Sequence, residues 1–185
     1  MSHGAAVGTG PVPVEASRPG LLGAAARALG WVNGRLLVLA MLALLAAAFV
    51  LTLSVVLRYF LHVPTDWQDE ASVFLIVGAT FLTGAYVQSY RGHVGIEALA
   101  SLLPAGVNRI RLLAADVVSF LFCGFFSWKS WTLLRDAVVD NQTTSSTWAP
   151  PLWIPYLLMA AGMTLLSLQL LLQVLGRLVR PPEAR

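Results

Sequence analysis

Five ionisable side chains sit inside or at the ends of long apolar runs, and they bound the chemistry open to this chain. Arg58 closes one run, Asp69 and Glu70 open the next, Asp116 lies about a turn and a half inside a third, and Lys129 stands near the far end of that third run. Ionisable groups at membrane depth are costly and usually paired, and they mark ion paths, proton relays or helix contacts. A relay needs a second carboxylate at its own level, which Asp116 lacks. Its neighbours by position are Arg109, Arg111, Gln169 and Gln173, so a hydrogen bond or ion pair is expected of it. Arg58, Trp67, Asp69, Glu70 and Lys129 all fall toward one side, which permits a polar network between helices or toward a partner. Snorkelling to headgroups is the alternative for the two cations. For the acids the alternative is the helix dipole, which explains one carboxylate in a first turn better than the three at Asp66, Asp69 and Glu70.

No constellation for catalysis, a cofactor or a metal is present in the sequence. His3, His62 and His93 lie outside the apolar runs, whereas a transmembrane haem needs an axial histidine at membrane depth. There is no HExxH, no phosphate-binding loop and no glycine-rich nucleotide turn. The single Cys123 allows neither an internal disulfide nor a thiol metal cluster. The net charge of +3 comes without an array of arginine and aromatic residues, so nucleic acid is not an expected partner and the lipid bilayer is.

The runs that hold these residues cover about 36–57, 67–89, 112–131 and 152–174. Each has the roughly 20 residues that a helix needs to cross a bilayer. They show no alternation of polar and apolar residues, which rules out barrel strands and leaves helices. With 57% hydrophobic and only 11% charged residues, the chain has little left for a domain outside the membrane. The expected fold is an all-α integral membrane protein of four transmembrane helices. Residues 1–20 read as a disordered tail, 21–176 as the membrane domain and 177–185 as a second tail. Arg18, Arg27 and Arg35, then Arg91, Arg109 and Arg111, then Arg177, Arg180 and Arg185 alternate with the spans. Their excess on one side puts both termini and the middle loop in the cytoplasm.

Between the spans, residues 18–35 mix arginines with Leu21, Leu22, Leu29 and Trp31, which suits a helix lying in the interface. A second short interfacial helix is expected on the stripe Ile96, Leu99 and Leu103, ended by Pro104. Thr65 followed by Gln68 reads as a capping box that opens the second span. Small residues at Ala40, Ala43, Ala46, Ala47 and Ala48, and at Gly78, Ala79, Gly84 and Ala85, permit close helix approach. Phe120, Phe122, Phe125, Phe126, Trp128 and Trp131 crowd the third span and want a reason beyond the aromatic belt.

Several short motifs then fall in a telling order: Arg58-Tyr59-Phe60, Trp67-Gln68-Asp69-Glu70, Gly84-Ala85-Tyr86, and Arg91-Gly92-His93 running to Glu97, with Ile154-Pro155-Tyr156 opening the fourth span. This series resembles the small membrane subunit, the DctQ-like component, of tripartite ATP-independent periplasmic (TRAP) transporters. Asp69 departs from the usual glutamate, and Glu97 stands where aspartate is common. The resemblance implies a non-catalytic subunit that packs on a large multi-span membrane subunit as part of a static scaffold. It also implies a periplasmic substrate-binding protein, sodium-coupled uptake of an organic acid, and residence in a bacterial inner membrane. A four-helix anchor or assembly subunit of another membrane complex is the alternative. A proton-coupled exporter would need an acid deep in the first span, and residues 36–57 hold none.

Overall fold

The computed structural model describes residues 20–62, 64–90 and 105–179. Four helices carry almost all of them: α1 (Leu21–Val56), α2 (Asp66–Ser89), α3 (Ala105–Val139) and α4 (Trp153–Leu178). All four are long and apolar enough to cross a membrane. Residues 21–35 are helical, and they run into the first span without a break. A π-helical turn, Leu57–Leu61, extends α1, and His62 ends it in the left-handed region at φ 53°. The segment proposed as a second interfacial helix, around Ile96 to Leu103, lies outside the described residues.

The helices form a row rather than a closed square. α1 packs on α2, α2 on α4, and α4 on α3. In a closed up-and-down bundle α2 would neighbour α1 and α3, but among the described residues α2 and α3 share no substantial contact. α1 and α3 are therefore the two flanks, and α2 and α4 make a parallel central pair.

Residue size explains the central seam. A Cβ added at Gly162 of α4 would lie 2.4 Å from the carbonyl oxygen of Phe81 on α2 and 2.8 Å from its Cβ. The two backbones come this close because glycine has no side chain, which is how helices gain contact in lipid. Ala79 and Ala85 on α2 and Ala160 on α4 are fully buried on either side of that crossing. At Gly78 the nearest atom to an added Cβ is Leu158 Cδ1 at 2.9 Å, the movable end of a side chain, and at Gly84 nothing comes nearer than 3.9 Å.

On α1 the buried positions are Ala26, Asn33, Ala40, Ala47 and Ser54, one every seven residues, with Gly23 beside the first. A strict seven-residue spacing keeps one narrow seam against a neighbouring helix that crosses at a shallow angle. Ala40 and Ala47 belong to the expected small face, while Ala46 and Ala48 point outward. Beyond Arg35 the exposed surface of α1 is mainly leucine, valine and phenylalanine, as a lipid-facing helix requires.

Gly162→Ala should be the costly glycine substitution, because backbone rather than side-chain atoms must move. Overpacking of this kind costs about 1–3 kcal/mol. The purified protein should melt earlier and elute less monodispersely in detergent, whereas Gly84→Ala should match the parent in both measurements.

Candidate functional site: polar joints between the helices

Polar side chains form four joints, each between elements that touch, and ionisable residues take part in three of them. At the first joint, Ser54 and Arg58 lie four residues apart and share the face of α1 that meets α2. Arg58 Nη2 stands 2.6 Å from Asp69 Oδ2, and the Ser54 hydroxyl donates to Asp69 Oδ1 at 3.1 Å. Arg58 Nε and Nη2 also donate to the Thr65 hydroxyl, at 3.1 and 2.7 Å. Thr65 occupies the N-cap position, but its side chain makes no capping bond, so the expected capping box does not form. The arginine has taken the hydroxyl that would have capped. The amides of Gln68 and Asp69 bond instead to the Thr65 carbonyl at 3.1 and 3.3 Å. Gln68 is buried, and its Oε1 has no partner.

The second joint uses Glu70. Consecutive residues on a helix point about 100° apart, so Glu70 cannot face α1 while Asp69 does. Its Oε2 accepts from the Ser146 hydroxyl at 2.8 Å and from the Thr144 hydroxyl at 3.3 Å. Both donors lie in the connection between α3 and α4, which is itself folded back. Thr144 N bonds to Pro150 O at 3.1 Å, Leu152 N to Gln142 O at 2.9 Å, and Ala149 N to Ser146 Oγ at 3.1 Å. Asn141 and Ala149 supply the left-handed backbone at its corners. Trp67 and Trp148 meet edge to face at 6.3 Å beside this joint. Glu70 thus ties α2 to the α3–α4 hairpin.

The third joint lies toward the far end of the central pair. Gln88 Nε2 donates to Gln173 Oε1, and Gln173 Nε2 donates to the Gln88 carbonyl, both at 2.9 Å. Gln173 is fully buried, so a reciprocal pair is the economical way to satisfy its amide.

The fourth joint runs along α3 and α4. Ser127 and Thr164 share a hydrogen bond at 2.9 Å, and Trp131 Nε1 donates to Thr164 Oγ1 at 3.0 Å. Further along, Asp116 Oδ2 stands 2.6 Å from Arg177 Nε, with only 13% and 16% of the two side chains exposed. Asp116 therefore sits in an ion pair with the arginine at the end of α4.

Lys129 takes no part in the cluster around Asp69 and Glu70. Its ammonium lies 5.1 Å from the centroid of the Trp128 ring on the exposed face of α3. Register explains the separation. Ser127 is level with Thr164, and Gly162 is level with Phe81, so Lys129 falls beside the middle of α2. That is about a dozen residues, or roughly 18 Å at 1.5 Å per residue, from Asp69. The motif residues Arg91, Gly92, His93 and Glu97 lie outside the described residues.

Sequence reasoning passed over Thr144, Ser146, Thr164, Gln88 and Arg177 as partners. Hydroxyls and a terminal arginine carry no signal until topology brings a carboxylate to them. The spacing of 85 residues between Gln88 and Gln173 is invisible before α2 and α4 are known to be neighbours. Among the described residues no group of histidine, cysteine and carboxylate side chains could hold a metal ion.

The family model of the DctQ component of tripartite ATP-independent periplasmic transporters matches residues 47–180. The matched stretch takes in all four joints. No curated protein and no solved structure gives a match.

The two ion pairs should differ in weight. The Arg58 and Asp69 side chains are 59% and 46% exposed, and exposed pairs contribute about 0–1 kcal/mol. Breaking a buried pair leaves a charge unpaired and costs about 3–5 kcal/mol. Thermal unfolding in one detergent should therefore show Asp116→Asn as clearly destabilising and Asp69→Asn as nearly silent. Glu70→Gln should mainly speed proteolysis and hydrogen exchange across residues 140–152. Equal losses for Asp69→Asn and Asp116→Asn would contradict this ranking.

Proposed function

The chain belongs to the DctQ component family of tripartite ATP-independent periplasmic transporters, and from that premise we propose that it packs on the large membrane subunit as a fixed scaffold. It is a multi-pass membrane protein and a small permease component. In this proposal a periplasmic binding protein delivers an organic acid, and the large subunit moves it with sodium. The present chain holds position and moves nothing.

The observation that carries the reading is where the polar groups inside the helices go. Ser54, Gln88, Gln173, Ser127, Thr164, Asp116 and Arg177 are bonded across helix contacts, and so are committed to holding the row together. A solute path would need such groups converging on a cavity. The cleft of about 390 Å3 between α1, α2 and α4 is lined by Ala43, Phe74, Leu75, Gly78, Leu158 and other largely apolar residues. Such a lining holds no charged side chain to bind a carboxylate. The open cleft of about 640 Å3 that Arg58 and His62 line lies at the end of α1 rather than within the row.

The same proposal sets the orientation. The nine arginines from Arg18 to Arg35 at the start of α1, from Arg91 to Arg111 at the start of α3, and from Arg177 onward at the end of α4 belong in the cytoplasm of a bacterial inner membrane. The end of the row that carries Arg58, Asp69 and Glu70 then faces the periplasm, where the binding protein docks.

Two measurements test this. In a Cys123→Ala background, a membrane-impermeant thiol reagent should label Ser145→Cys in intact cells and leave Ser101→Cys unlabelled; the reverse pattern would refute the orientation. Reconstituted alone in liposomes under a sodium gradient, the chain should take up no organic acid. Uptake should need both the large subunit and the binding protein. Sodium-driven uptake by this polypeptide alone would overturn the scaffold reading.

A further inference from the structure

The row leaves two flanks, α1 and α3, and their outward faces differ in chemistry. The outward face of α1 is plain hydrocarbon through its middle, with Leu42, Leu45 and Phe49 exposed and no ionisable side chain between Arg35 and Arg58. Such a face is matched by lipid tails alone. The outward face of α3 is not. Val118, Phe122, Phe125 and Lys129 follow one another at i, i+4, i+7 and i+11, which places them in a single stripe. All four are exposed, and Phe125 and Phe126 meet edge to face at 5.9 Å.

Lys129 is a charged group that the four joints leave out. By register it stands beside Thr164, eleven residues into α4, and therefore level with the interior of the row rather than with its end. An ammonium at that level is costly in hydrocarbon and wants an opposite charge. What the described residues supply is the face of Trp128 at 5.1 Å. Asp136 shares the stripe but lies seven residues away, about 10 Å along the helix. Of the other described carboxylates in the helices, Asp69 is engaged by Arg58, Glu70 by Ser146 and Asp116 by Arg177, while Asp66 opens α2 at its far end, roughly 22 Å at 1.5 Å per residue from the level of Lys129.

We infer that the outward stripe of α3 is the docking face for a transmembrane helix of the large subunit, and that this helix places a carboxylate against Lys129. The inference rests on the scaffold reading and adds the face and the chemistry of the contact. Aromatic side chains offer the partner broad, stiff contact surface, and the charge fixes its level along the helix. A cation already held over an aromatic ring is partly desolvated, so it pairs with a carboxylate at small further cost.

The test uses the two-subunit membrane complex with a photoreactive benzoylphenylalanine placed at one position of the small subunit. Irradiation should join the subunits from position 122 or 125 on α3 and not from position 45 or 49 on α1. Cross-linking from α1 alone would overturn the docking face while leaving the scaffold reading intact. If neither flank cross-links and the subunits do not copurify, the scaffold reading itself fails. The charge is tested separately. Lys129→Glu should lower copurification at least tenfold, Lys129→Arg should keep it, and reversing one intramembrane acid of the large subunit to lysine should restore the Lys129→Glu complex. Copurification of Lys129→Ala at the parental level would show that Lys129 only reaches toward lipid headgroups, and would overturn the carboxylate contact.

Discussion

The closeness of α2 and α4 at Gly162 and Phe81 is the constraint from which the rest of the arrangement follows. Lipid tails are as apolar as leucine, so helices in a membrane gain little by hiding hydrocarbon and must gain by contact and by polar bonds. A glycine at the crossing brings two parallel backbones together, and the buried alanines on either side extend the contact. With α4 held there, α2 has one face left for α1, and α4 has one face left for α3. Four helices joined in that order make a row, and a row has two long flanks.

The polar joints are consequences of that order. Asp69 can meet Arg58 because α1 lies on its side of α2, and Glu70 can meet Ser146 because the α3–α4 connection lies on the other. Two neighbouring acids thereby bind opposite halves of the molecule to one helix. At the far end Gln88 and Gln173 lock the central pair, and Asp116 with Arg177 locks the outer one. Polar residues that would be liabilities in lipid are spent on register, a role for which buried polar groups are well suited.

Much of this was legible in the sequence, and the gaps have physical causes. Hydropathy marks the four helices, because their length and composition are dictated by the bilayer. The motif around Trp67 to Glu70 marks the family, and the family match confirms it. The lateral order of the helices is not encoded in hydropathy, since each span is equally content beside any other. Lys129 was therefore expected near Arg58, and only register moves it toward the middle of the row. The capping box at Thr65 failed for a related reason: the local pattern was sound, but a guanidinium from another helix competed for the same hydroxyl. Gly162 stood in a run of apolar residues with nothing to distinguish it from a helix weakener.

Disulfide trapping across the central pair tests the row most directly. In a Cys123→Ala background, Gly78→Cys combined with Leu158→Cys places two thiols where an added Cβ at position 78 already meets the Leu158 side chain at 2.9 Å. Thr80→Cys with Thr132→Cys probes instead the α2–α3 contact of a closed bundle. Mild oxidation in membranes should link the first pair within the chain, seen as a gel shift after cleavage of the loop between α2 and α3, and leave the second pair free. Efficient linkage of Thr80→Cys to Thr132→Cys, with none across Gly78→Cys and Leu158→Cys, would mean that α2 and α4 are not neighbours.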